Sequence, residues 1–342
     1  MAYTTINKST DYFNTKLYTG NNSNGHAITG VGHQPDWTWI KSRSAATAHS
    51  VTDVVRGVGK NILANSSAVE FTNTNYIASF DSDGFTTNDD GDINGNNRTY
   101  ASWNWKAGGS QGSSNTDGSL NTTYTSVNTT AGFSISTYTG NGYAGATVGH
   151  GLGAVPKMII VKRLNSVDNW RVYHASLGAT KYLDLNGNGA ANTSSTRWND
   201  TEPTSSVFTL GNNTSVNASA STYVAYCFAE KNGYSKFGSW ISNNNVDGTF
   251  VYTGFAPSFV MLKQTDGTNK WVMYDNKRPG YNQTSNALFA NSTDAEATDL
   301  GIDILSNGYK IRSTNNQNTG SYIYMAFGQT LVGTNNIPNN AR

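Results

Sequence analysis

The chain has one cysteine, Cys227, six prolines and few charges, with Asp, Glu, Lys and Arg together only 13% of its 342 residues. That is about half of the ~25% usual in soluble domains. A single cysteine excludes an internal disulfide framework and a cysteine-based zinc site. Basic and acidic residues number 23 and 22, a net charge of +1, and no basic block argues for a nucleic-acid partner held by counterion release. No apolar run reaches the ~18 residues of a membrane-spanning helix, so no membrane insertion is expected. The start, Met1-Ala-Tyr-Thr-Thr-Ile-Asn-Lys8, has neither the charged nor the apolar region of a secretory signal.

Catalytic sets are missing as well. The histidines (His26, His33, His49, His150, His174) form no His-x-x-x-His pair, and the four glutamates (Glu70, Glu202, Glu230, Glu296) are scattered. No carboxylate pair for glycoside hydrolysis is visible. No Gly-x-Ser-x-Gly elbow occurs, and Gly57-Val-Gly-Lys60 stops short of a phosphate-binding loop. A non-enzyme is expected.

Asn, Thr, Ser and Gly number 44, 42, 35 and 35, nearly half the chain, while aromatics make up 12%. Disordered chains combine high net charge with few aromatics, so this chain is globular. Its length fits two or three domains of about 100–150 residues.

Fixed spacings divide it into three. Pro35, Pro156 and Pro257 are each followed six residues on by Lys41, Lys162 and Lys263, and twelve further on by Asp53, His174 and Asp275. Each stretch closes on an alternation: Tyr100-Ala-Ser-Trp-Asn-Trp105, Tyr223-Val-Ala-Tyr-Cys-Phe228 and Tyr322-Ile-Tyr-Met-Ala-Phe327. Four matched features in one order indicate units at 11–107, 132–230 and 233–328. Residues 108–131 read as a flexible Gly/Ser/Thr linker, and 329–342 as a polar tail. Units two and three, separated only by Lys231 and Asn232, should dock more rigidly than units one and two.

Each unit reads as all-β. Trp37-Thr-Trp-Ile-Lys41, Met158-Ile-Ile-Val-Lys162 and Phe259-Val-Met-Leu-Lys263 are short apolar runs bounded by turn residues, as in strands buried on both faces. In the closing strand Tyr223, Ala225 and Cys227 point one way and Val224, Tyr226 and Phe228 the other, so it is central. Three tandem β-sandwiches are expected, each with its own small core, with a jelly roll as the nearest variant.

Candidate site residues are few. Lys41, Lys162 and Lys263 with Asp53 and Asp275 predict a structural ion pair across two strands, His174 replacing the acid in unit two. Asp90-Gly-Asp-Ile-Asn-Gly95 opens like a calcium loop, making Asp89, Asp90, Asp92 and Asn94 candidate ligands, but Ala101 stands where the bidentate glutamate belongs. The alternative is a turn-rich loop, and no other cofactor is expected. Most tryptophans are core residues; Trp198 and Trp240, in polar surroundings, are the candidates for stacking on glycans.

Gly32-His-Gln-Pro-Asp-Trp-Thr-Trp-Ile-Lys-Ser-Arg43, Val55-Arg-Gly57, Phe80-Asp-Ser-Asp-Gly-Phe85, Tyr100-Ala-Ser-Trp-Asn-Trp-Lys-Ala-Gly-Gly109, Gly149-His-Gly-Leu-Gly-Ala-Val-Pro-Lys157 and Tyr223-Val-Ala-Tyr-Cys-Phe-Ala-Glu230 resemble a repeat family of virion proteins of marine tailed phages. Its members are known mainly as tail-fibre or structural proteins, and the likeness spans nearly the whole chain. His33 departs from it where Phe is usual, as does Val51-Thr-Asp53. The resemblance implies a virion-surface location, a lectin-like sandwich and no catalytic residues. It also implies other virion proteins as partners, a homo-oligomer with a trimer favoured, and contact with host-surface glycans. A free lectin-type carbohydrate-binding protein is the alternative, and a polysaccharide-degrading enzyme comes third.

Overall fold

The computed structural model describes residues 4–279, 281–298, 301–313 and 318–331. Strands dominate, and the helices are single turns. The first stretch holds β1 (Phe13–Thr19), β2 (His26–Thr29), β3 (Trp37–Ser42), β4 (Ser50–Asp53), β5 (Lys60–Leu63), β6 (Phe71–Thr72), β7 (Ile77–Asp81), β8 (Gly84–Thr87) and β9 (Thr99–Trp105), with α1 (Gly91–Asn94) before β9. The second holds β10 (Thr122–Asn128), β11 (Phe133–Thr139), β12 (Ala146–Gly149), β13 (Met158–Arg163), β14 (Arg171–His174), β15 (Lys181–Asp184), β16 (Asn192–Thr193), β17 (Val207–Leu210) and β18 (Thr222–Phe228), with α2 (Ser195–Trp198) and α3 (Thr214–Asn217) beside β17. The third holds β19 (Ser235–Ile241), β20 (Phe250–Tyr252), β21 (Ala256–Gln264), β22 (Val272–Asp275), β23 (Leu288–Phe289), β24 (Ile302–Leu305), β25 (Gly308–Ile311) and β26 (Ser321–Gln329).

One antiparallel strand order runs through all three stretches. The main sheets are β1-β9-β3-β4-β5-β6, β10-β11-β18-β13-β14-β15-β16 and β19-β26-β21-β22-β23. In each, the closing strand lies between the opening strand and the Pro-x₅-Lys strand, which gives it neighbours on both edges. A small sheet covers the outer face of each main sheet: β2-β8-β7, β12-β17 and β20-β25-β24. The expected alternation of the closing strand holds. Val224, Tyr226 and Phe228 face one core and Tyr223, Ala225 and Cys227 another.

The cores are arranged differently from three separate sandwiches. Inner faces of all three main sheets enter one shared cluster, which includes Phe13, Trp37, Trp105, Phe133, Tyr226, Phe228, Phe259 and Phe327. Three smaller clusters lie outside, each between a main sheet and its small sheet. At the shared centre Phe327 meets Trp105 at 5.7 Å and Phe228 at 6.1 Å, while Trp37 stacks on Tyr226 at 4.7 Å. Large aromatics each bury about 150–250 Å². With two apolar faces, a main sheet needs cover on both. Its small sheet covers one face, and the other two main sheets cover the second.

The segment at 108–131 is a wall, in place of the expected flexible tether. Its second half is β10, paired along β11. Gly109 N–H donates to Asp36 at 2.9 Å and the Gln111 side chain to the Val55 carbonyl at 2.8 Å. Gly112 has φ +79°, and a Cβ there would lie 1.9 Å from the Thr125 carbonyl oxygen, so only glycine fits against β10. The expected tail at 329–342 contributes its first residue to β26 and beyond Leu331 lies outside the described residues.

Candidate functional site at the seams between the sheets

Three seams join the sheets in a closed ring, and the repeated residues sit in them. Lys41, Lys162 and Lys263 are fully buried, but the expected ion pairs with Asp53 and Asp275 do not form. Strand register explains why. Trp37 lies opposite Asp53 and Phe259 opposite Asp275, so each lysine stands four residues further along its strand. The ammonium groups donate to carbonyls instead: Lys41 to Ser42 and Ala45, Lys162 to Ser67 and Asp168, Lys263 to Asn188 and Gln264, all at 2.6–3.2 Å. Ser67 and Asn188 belong to the neighbouring unit in each case, so Lys162 and Lys263 clamp seams, while both acceptors of Lys41 lie in its own unit. Burial lowers each lysine pKa to about 8.

The acids pair with arginines one turn on. At the first seam Asp53 holds Arg56 at 2.6 Å, and Arg56 reaches Glu70 at 3.1 Å and the Val51 carbonyl at 3.1 Å. The second unit contributes Tyr226, whose hydroxyl donates to Asp53 at 2.7 Å. Between the third unit and the first, the arrangement recurs. Asp275 holds Arg278 at 2.7 Å, Arg278 reaches Glu296 at 3.1 Å and the Met273 carbonyl at 2.8 Å, and Trp103 Nε1 donates to Asp275 at 3.1 Å.

The seam between units two and three exchanges the whole set. His174 replaces the aspartate, Leu177 the arginine, Ala191 the glutamate and Met325 the aromatic donor. His174 Nδ1 accepts from Ser176 N–H at 3.2 Å, so its Nε2 carries the proton and donates to the Tyr324 carbonyl at 3.1 Å. Burial lowers its pKa to about 4, keeping it neutral. A lone aspartate here would lack both donor and counter-ion, and a buried uncompensated charge costs several kcal/mol, on the order of 3–5. Backbone bonds confirm the correspondence: Glu70, Ala191 and Glu296 N–H donate to the Leu164, Thr265 and Arg43 carbonyls, each two residues past the buried lysine.

The remaining candidates have other work. Asp90 caps α1 by accepting from Asp92 N–H at 2.9 Å, and Asp92 accepts from Tyr76 at 2.9 Å. Asn94 donates to the Ser23 and Asn88 carbonyls and accepts from Asn21 N–H. Asp89 N–H bonds to Asn24. The second unit builds the same turn without acids, Asn213 capping α3 and Asn217 standing for Asn94. The closing-strand tyrosine ties both turns down, Tyr100 donating to the Gly91 carbonyl and Tyr223 to that of Thr214. The segment is therefore a capped turn. Among the described residues no group of three or more His, Cys, Asp or Glu is placed to hold a metal ion.

Trp198 and Trp240 are only 2% and 7% exposed, against the expectation of open stacking platforms. Trp198 meets Tyr173 edge-on at 6.1 Å, and Trp240 stacks on Tyr322 at 4.4 Å. Both sit in the outer clusters: Trp198 ends α2, and Trp240 faces inward from β19, the edge strand of the third main sheet, between the exposed Ser239 and Ile241.

An open concavity lies at the first seam. A cleft of about 300 Å³ between units one and two is lined by Arg56, Glu70, Gln111, Tyr124, Leu164 and Thr222, among others. Sequence reasoning missed it because Glu70 and Glu296 follow their aspartates at unequal spacings, 17 and 21 residues. The exchange of Arg56 and Arg278 for Leu177, in step with aspartate for histidine, was the available signal.

Sheets and seams together define an all-β protein whose three main sheets share one core. The chain belongs to the family described as a domain of unknown function, DUF7483, whose model matches residues 8–330. No curated protein and no solved structure matches it.

Proposed function

We propose that the protein is a non-enzymatic structural component of a tailed-phage particle, an external appendage such as a tail-fibre or host-recognition subunit or a capsid fibre or decoration. The shared core carries this reading. Buried aromatics and ions are spent on joining sheets within the chain, which makes a rigid body suited to an assembly. The most buried of the described ion pairs, Asp53–Arg56 and Asp275–Arg278, have side chains at most 2% exposed, and buried pairs are screened by salt far less than exposed ones. Such a body keeps its seams at seawater ionic strength. The resemblance to marine phage virion proteins points the same way.

Labelled antibody against the protein, imaged on purified particles, tests the reading. Signal on tail or capsid supports it; particles free of the protein contradict it. Light scattering on the purified protein reads the oligomeric state and so tests the trimer separately.

A further inference from the structure

We propose that the cleft between the first and second main sheets is a binding site for a neutral saccharide of one or two rings, with Tyr124 as its aromatic platform. The two seams that flank unit one are built alike, and two features open this one. Between units three and one, Arg43 fills the corresponding space and holds both oxygens of Glu296 at 3.0 and 2.9 Å. Leu164 takes Arg43's place in the cleft. Glu70 keeps Arg56 on one oxygen at 3.1 Å, and the nearest cation to the other is Lys60 at 3.9 Å. One carboxylate oxygen thus faces the cleft ready to accept from a ligand hydroxyl.

The second feature is β10, which has no counterpart in the other main sheets among the described residues. Its register shifts between Thr122 and Tyr124, and bulges of this kind re-aim side chains beside binding sites. Tyr124 is 37% exposed at the cleft wall, where its ring can lie against the C–H face of a sugar.

The lining matches a polyol. Thr123, Thr137 and Thr222 line it beside Gln111, whose amide N–H is fixed on the Val55 carbonyl, leaving its oxygen as an acceptor. Tyr138 and Tyr223 spend their hydroxyls on the Val216 and Thr214 carbonyls and act as walls. Arg56 and Lys60 balance Asp53 and Glu70, so the site has no net charge with which to draw an anion or a cation. A volume near 300 Å³ stands at the small end of ligand sites. The inference is independent of particle location, so either can fail while the other stands.

Saturation-transfer NMR on the full chain tests it, using neutral methyl hexosides, N-acetylhexosaminides and their disaccharides, with glucuronic and sialic acids as charged controls. Binding of a neutral member with Kd of about 1 mM or tighter is expected. Tyr124→Ala should weaken it about tenfold, the scale of a lost aromatic contact. Leu164→Arg should abolish it by closing the cleft as Arg43 does, and unchanged near-UV circular dichroism in Tyr124→Ala shows that folding is not the cause. No binding by any neutral sugar, equal binding of the charged controls, or binding that survives both substitutions would overturn the proposal.

Discussion

The Tyr226 hydroxyl donates to Asp53 at 2.7 Å across 173 residues of chain, and Asp53 in turn holds the buried Arg56. A hydrogen bond to a charged group contributes about 1.5–3 kcal/mol. Tyr226→Phe should therefore lower unfolding stability by about that amount in urea titrations.

Asp53→His alone should cost more, on the order of 3–5 kcal/mol, because Arg56 stays buried without its partner. Importing the full neutral set (Asp53→His, Arg56→Leu, Glu70→Ala, Tyr226→Met) should recover much of that loss, since the seam around His174 already works this way. Equal or greater loss in the fourfold variant would show that the four positions are not coupled.

Acid should weaken the fold through its buried histidines. His33 and His174 have folded pKa values lowered to about 4, and those of His49 and His150 are lowered too, in each case chiefly by burial. The unfolded chain takes up protons near pH 6.5 while the folded chain does not. Stability is full above pH 6.5 and falls toward pH 4, by up to about 1.4 kcal/mol per pH unit per histidine. His174→Gln should flatten part of that slope in denaturant titrations across the range.

The buried lysines give a dependence of the same sign in a more alkaline window. Their folded pKa is about 8, against about 10.4 unfolded, so between these values the unfolded chain holds more protons. Their contribution to stability rises with pH across that window. Lys263→Met should remove its share of the rise. It should also cost about 1–3 kcal/mol at pH 7 by stripping a donor from the Asn188 and Gln264 carbonyls.

Trp198→Ala and Trp240→Ala should each cost about 3–5 kcal/mol, as large core truncations do. Saccharide binding at the cleft should survive Trp198→Ala when measured below its lowered melting temperature.

Much of the fold was legible because strands buried on both faces leave a plain record: Met158-Ile-Ile-Val161 and the Tyr223–Phe228 alternation needed no tertiary information. The shared core was not legible. Apolar residues on both faces say that a sheet is covered twice, but not whether the second cover is its own unit or two others. The lysines misled for a related reason: their fixed spacing to Asp53 suggested contact, whereas register sets them four residues apart along the hairpin. Trp198 and Trp240 looked exposed because their sequence neighbours are mostly polar, yet strand alternation turns Trp240 inward on β19 and the end of α2 buries Trp198.

Calorimetry of the full chain, beside the isolated segment 108–230, tests the shared core most directly. A single transition with equal calorimetric and van't Hoff enthalpies, and no cooperative melt from the segment, is the predicted result. Separate transitions in the full chain, or a segment that folds and melts cooperatively alone, would contradict it.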